Sequence, residues 1–519
     1  MQLSARDIEI VNSDVRSLVS GSGAGADIEV TADSLTIDAA SAVDGFSRLR
    51  TRILDGSSGV AGDIRVRARQ VLLTDGGQIS SIVDAGGTGT GGTLDLSVGE
   101  SLIARGWNSN SGNDVYSGLI TTMLSPDGQA GGDILVSAPN ARLSLDGAII
   151  QAATAGSGDS GDIRMSVRDL KLEAESWIMS ATQAEGAAGD IDIEIAESAS
   201  LLSGSSMETW SYPENTGMAG NLRLKLSGNL VLDSAKIDSS TSGDLDAGNL
   251  SIDVGGDFDM KAGSWLDAAS YANGAAGDIE VRAEGSIRLQ NASEIRSFTD
   301  GTGPAGTISL IAGGGVELKN SDIDSFTRGT GHAGTISLIA DGDVELQDSD
   351  LSARSFTAFD GARLGDAGQI RIAAESSSML DSSLGVTSSS RANAGSIEVL
   401  TRGDIRVDTT GDDLHGLFAG NTGGYSDPSF DPERVAVEGK SGNIRLAAAT
   451  IVFRNRSRMD IGTSRGDGGN LVIDAESLDL LDGATISTTT SGPGKAGDVR
   501  IALSDRLLIQ GQDPVGLTR

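Results

Sequence analysis

The chain has 519 residues, with 39 Lys or Arg against 73 Asp or Glu and a net charge of −34. Such a surface repels phosphate backbones and anionic lipid, which excludes nucleic acid as a partner and argues against membrane insertion. Cysteine is absent, so disulfide scaffolds and thiol-ligated metal sites are excluded, and with aromatics at 3% against 38% hydrophobic residues any core is narrow and aliphatic.

The opening, "MQLSARDIEIVNSD", has no basic region followed by an apolar stretch, so it does not read as a secretory signal. No apolar run approaches the roughly 18–20 residues of a membrane span. The 72 glycines against only 8 prolines point to tight turns.

A phrase then begins and does not stop. A Gly, a small polar residue and an Ile, Leu or Val recur from Gly62 to Gly497, and a degenerate copy sits at Asp27-Ile28. Most copies are 27 to 31 residues apart, and there are about sixteen. In "GDIRVRA" (62–68), Ile64, Val66 and Ala68 alternate with Arg65 and Arg67, the period-two signature of a strand with one buried face. A second alternating segment follows, such as "ARLSL" with Leu143 and Leu145, or "SLDLL" with Leu478 and Leu480. A turn such as "DG" or "NS" comes next, then a third strand such as "ATISTTT" around Ile486.

Three short strands cannot bury their own apolar face, but stacked copies can, each strand pairing in parallel with its equivalent in the next copy. The expectation is an all-β fold, a right-handed parallel β-helix (solenoid) of about sixteen coils with three short strands per coil. It is read as a single continuous β-helix over 1–519, a rod of about 75–80 Å at ~4.8 Å per coil. The second position of the phrase is Asp, Asn or Thr in all but two copies, residues suited to ladders or to bonding turn amides.

Two long insertions, 106–131 and 408–440, interrupt the rhythm and are the places to look for a binding surface. Trp177 and Trp265 stand just before the inward residue of a third strand (Ile178, Leu266), and Trp210 lies further along its copy. These three are candidate binding residues for sugar rings, unless neighbouring turns cover them. His332 replaces Pro304 of the preceding copy and reads as a solvated turn residue. Asp412, Asp413 and His415 share one insertion, whereas carboxylate catalysis on such folds draws on adjacent coils, so no catalytic residue is assigned. Acidic turns such as "SGDLDAGN" (242–249) allow weak Ca²⁺ binding, but no cofactor and no metal-ligand residue is assigned.

The phrase "aGDI.v.a..l.l.dga.I.s.t.g.g.aG.I" resembles the repeats of large exoproteins of the filamentous-haemagglutinin type, secreted by two-partner systems of Gram-negative bacteria. "SGLITTMLSPDGQAGGDILV" (117–136), "HGLFAGNTGGYSDPSFDPERVAVEGKSGNIRL" (415–446) and "LLIQGQDPVGLTR" (507–519) resemble the longer coils of that family. A signal sequence and an Asn-rich secretion domain are absent, so the chain is expected to be a fragment of a longer exoprotein. The resemblance implies export through an outer-membrane barrel transporter and an extracellular, cell-surface location.

It implies a non-enzymatic rod segment acting in adhesion or as a stalk or carrier, with host or neighbouring cells and their glycans as partners. One alternative is a polysaccharide lyase or glycoside hydrolase built on a β-helix. The other is a self-associating surface-layer or biofilm matrix protein.

Overall fold

Aliphatic residues at every second position make each segment a strand whose inner face is dry, and parallel pairing with the next copy satisfies its backbone. The computed structural model has this architecture throughout: all-β, with parallel strands stacked as a solenoid of about sixteen coils, three strands per coil. It describes all residues except 111, 113, 213–216, 357–364, 389–390, 412, 422–438 and 512–519. The chain divides into two units, Met1–Gly256 and Asp257–Arg519.

In the first unit one inward column runs Ile28, Ile64, Leu94, Ile134, Ile163, Ile191, Leu222 and Leu250, each the paired neighbour of the next. All eight are buried. The second unit has the same column in Ile279, Ile308, Ile336, Ile370, Ile397, Ile444 and Leu471, again all buried. The core is thus a stack of like side chains, as the alternation predicts.

Two details differ from the expected coil. The first and second strands run together in Ile28–Asp38, Ile64–Thr74 and Ile163–Glu173, but separate from Ile191–Ile195 and Ala199–Leu202 until Asp404–Asp408, mostly where Gly or Ser stands between them. A coil also precedes the first glycine landmark. Gln2–Ser4, Asp7–Val11 and Asp14–Val19 pair with Ile28–Asp38 and Ser47–Ile53, although "SARD" carries no glycine to announce it.

The glycine of the phrase is required by close approach. A Cβ on Gly132, Gly189, Gly306 or Gly334 would fall well inside contact with the carbonyl oxygen of the equivalent glycine in the preceding coil. Third-strand hydroxyls then hold this backbone. Ser180 Oγ accepts from Gly189 N–H at 2.8 Å and donates to Gly161 O at 3.2 Å. Ser325 does the same between Gly334 (3.0 Å) and Gly306 (2.9 Å).

The polar second position bonds each coil to the next. Asp133 Oδ1 accepts from Asp162 N–H (2.9 Å), Asp162 from Asp190 (2.8 Å), Asp190 from Asn221 (2.7 Å) and Asn221 from Asn249 (3.0 Å). Asn443, Asn470 and Asp498 repeat the pattern in the second unit. The expected "DG" and "NS" turns adopt left-handed backbone, with φ of 52° at Asp75, 49° at Asn320 and 52° at Asp482. Asn, Asp and Gly tolerate that region best, which is why they recur there.

Candidate functional site

With the inward columns sealed, chemistry is left to the outward faces and to the turns that interrupt them. The stretch 106–131 is less of a loop than expected. Trp107–Asn108 pairs antiparallel with Val115–Tyr116, and Val115–Met123 serves as the coil's third strand. The projecting part is fastened to an earlier turn, since Asn108 Nδ2 donates to Ala39 O (2.5 Å) and Asn110 Nδ2 to Ala42 O (3.1 Å). In 408–440, Gly416–Phe418 is likewise a third strand, pairing with Ser383–Gly385 and Arg458–Asp460. Residues 422–438 lie outside the described residues.

This small projection gathers aromatic side chains. The Tyr116 ring lies 4.8 Å from that of Trp177, edge to face at 61°, and 6.1 Å from that of Trp107. Trp177 opens the strand Trp177–Thr182, outward and beside the buried Ile178, where the alternation places it. It is half-buried under Tyr116, and its indole N–H is buried with no hydrogen-bond partner. Trp107 is 50% exposed, and its ring leaves only 3.0 Å to the space a Cβ on Gly147 would take.

Of the three tryptophans singled out from sequence, the two in the first unit, Trp177 and Trp210, do not form one platform. Trp210 pairs in register with Ala181, four residues along the strand from Trp177, so about 13 Å separates them at ordinary strand rise. Its ring neighbour is Tyr212, at 6.4 Å. Trp265, in the second unit, is 40% exposed and pairs with Glu294.

Sequence reasoning missed Trp107 and Tyr116, although they are aromatic residues of an insertion in a chain nearly devoid of aromatics. It also missed a ring ladder inside the recurring "SFT". Phe298 and Phe326 stack with centroids 4.7 Å apart and planes 3° off parallel. Tyr271 abuts one end (5.1 Å, 89°) and Phe356 the other (5.6 Å, 83°). The Arg328 guanidinium lies 4.9 Å from the Phe326 ring and bonds Asp300 at 2.9 Å.

Beside that ladder runs an outward row of Asp267, Arg296 and Asp324. Arg296 reaches Asp267 at 2.7 Å, and Arg354 faces Asp324 at 3.6 Å. Burial pushes the Asp324 carboxyl up to about 6 despite the pull of Arg354, and Asp322 adds to the rise.

The histidines play minor parts. His332 Nδ1 accepts from Asp366 N–H at 3.0 Å on an exposed turn, the solvated position expected. His415 Nδ1 is buried with no partner, Asp413 is exposed, and Asp412 lies outside the described residues. Among the described residues no group of three or more acidic, His or Cys side chains is arranged to hold a metal ion, and no helix is long and apolar enough to cross a membrane.

Two shallow hollows mark the outward faces, each of ≈ 290 Å³. The first is lined by Asp95, Arg164, Asp192 and Glu194, the second by Asp343, Glu345, Asp404 and Arg406. The register orders Asp95, Leu135, Arg164 and Asp192 on successive coils. Asp95 and Asp192 are therefore about 14 Å apart at the backbone. No protein family, curated protein or solved structure matches the chain.

Proposed function

We propose that the chain is a non-enzymatic solenoid segment of a secreted, surface-exposed exoprotein, and that it spaces and presents side chains for adhesion. The observation that carries this reading is where the fixed polar bonds go. The second-position ladder and the third-strand hydroxyls direct their bonds to the neighbouring coil, so each added coil extends the scaffold. What remains for a partner is the outward surface, with Trp107 and Trp265 its most exposed tryptophans. The repeat resemblance to filamentous-haemagglutinin-type exoproteins supports an extracellular setting and export through an outer-membrane barrel. Cells and their glycans are the partners this reading favours.

The test is binding of the purified chain to cells and to immobilised glycans, beside Trp107→Ala, Trp177→Ala and Trp265→Ala variants. Saturable binding that at least one substitution weakens tenfold supports the reading. Binding absent from the parent, or unchanged in all three variants, removes the tryptophans from it.

One observation favours a second reading, polysaccharide cleavage. Asp192 and Glu194 lie two residues apart on one strand face, with Arg164 lining the same hollow. Glycosidases use carboxyl pairs about 5–9.5 Å apart, whereas Asp95 is out of reach of Asp192. Product release from acidic polysaccharides that Asp192→Asn abolishes would establish it in place of the first.

A further inference from the structure

In a chain with nearly twice as many acids as bases, one strand is strongly basic. Ser47–Ile53, "SRLRTRI", alternates so that Leu49 and Ile53 are buried in the core while Arg48, Arg50 and Arg52 take the other face. In the preceding coil Arg16 is the paired neighbour of Arg50, with backbones about 4.8 Å apart. Four guanidiniums therefore share two coils.

Three carboxylates answer them. Asp14 takes Arg48 (3.1 Å) and Arg50 (2.7 Å), Asp44 takes Arg48 at 3.6 Å, and Asp84 takes Arg52 at 2.6 Å. Arg16 is exposed and has no ion pair among the described residues. One positive charge is left over, on the exposed side of the cluster.

A second observation is independent of that count. Arg50 is only 5% exposed, and its Nε–H is buried without an acceptor. Ser80, its paired neighbour on the following coil, is fully buried, and its hydroxyl also lacks a partner. Buried donors of this kind ordinarily find a partner, and a guanidinium beside like charges gains most from an anionic one. Burial and the neighbouring arginines also hold the Arg50 pKa below the ordinary guanidinium value.

We propose that this face is a binding site for a single anionic group, a sulfate or a carboxylate, held by Arg16 and Arg52 with Arg50 and Ser80 behind them. A guanidinium fork can bond two oxygens of a planar carboxylate or of a tetrahedral sulfate. The group comes either from a free anion or from an acidic saccharide. The site does not depend on the adhesive reading above, since none of the tryptophans is among its residues.

Calorimetric titration of the full chain at low salt tests it with three probes: sodium sulfate, a galacturonic acid trisaccharide and a neutral galactose trisaccharide. Saturable binding of sulfate or galacturonate, with no response to the neutral sugar, is expected. Sulfate alone binding identifies a free-anion site, and galacturonate binding identifies an acidic-saccharide site.

Arg16→Gln, which breaks no ion pair, should weaken the interaction at least tenfold. Arg223→Gln, the same charge change on another exposed face of the first unit, should leave it within twofold. No saturable binding of either anion, or equal losses in the two variants, overturns the proposal.

Discussion

At the scale of single residues, the glycine landmarks carry the most restrictive requirement. A Cβ on Gly334 would overlap Gly306 O and also approach Ser325 Oγ at 2.7 Å, while Gly21 has open space around it. Gly334→Ala should therefore cost roughly 2–4 kcal/mol through forced backbone displacement. Gly21→Ala should be nearly neutral. Urea midpoints of the two variants check this, and equal shifts would show that the column is not the constraint.

Asp324 supports a second residue-scale prediction. Its folded pKa of about 6 lies above the ordinary carboxylate value of 3.8. Between those values the folded chain holds a proton that the unfolded chain has released. Stability from this group is thus greatest below the unfolded value and is lost as pH rises through the folded one. Asp324→Asn removes that dependence. The melting-temperature difference, variant minus parent, should become more positive from pH 4 to pH 7, and a flat or falling difference would refute the assignment.

At the scale of elements, the ring ladder beside the third strand is the clearest packing unit. Phe326 is 9% exposed, stacked on Phe298, edge-on to Phe356 and overlaid by Arg328. Phe326→Ala removes a buried aromatic whose neighbours cannot close over the gap, a loss of roughly 3–4 kcal/mol. Phe326→Leu keeps most of the apolar area and should recover about half. Chemical denaturation of both variants measures this, and a loss under about 1 kcal/mol for the alanine variant would mean the rings are solvated.

The ladder also shows where sequence reading stops. Strands, turns and inward columns were legible because each is a local pattern: alternation marks the strand, Gly followed by Asp or Asn marks the close approach and its amide bond, and "DG" marks the left-handed turn. The functions divided within "SFT" were not legible in the same way. Ser325 and Thr327 face inward and Phe326 outward, and only the register that sets Phe298 on Phe326 turns a repeated letter into a stack. The aromatic cluster needed still more, because Trp107 and Tyr116 of one coil meet Trp177 two coils further on. The arginine face was hidden for a related reason, since the overall charge of −34 masked a local excess that pairing with Arg16 creates.

At the scale of the whole molecule, the question is which electrostatic term dominates: the excess of 34 negative charges or the many ion pairs between neighbouring strands. The stacked geometry sharpens the repulsion. Glu317 and Glu345 are paired in register, and Asp133, Asp162 and Asp190 follow one another in a single column. The ion pairs are mostly half-exposed, as with Arg445 and Glu398 on neighbouring coils at 3.1 Å, and such pairs contribute about 0–1 kcal/mol each. Salt weakens both terms, but at contact distance less than across many coils, where the screening length falls from about 30 Å at 0.01 M to about 3 Å at 1 M. Repulsion should therefore be the larger loss, and raising NaCl from about 0.01 to about 0.5 M at pH 7 should raise the melting temperature by a few degrees. Near pH 4.3, where the net charge vanishes, the same addition should change little. A melting temperature that falls with salt at pH 7 would show that the inter-coil ion pairs, rather than the excess acid, govern the solenoid's electrostatics.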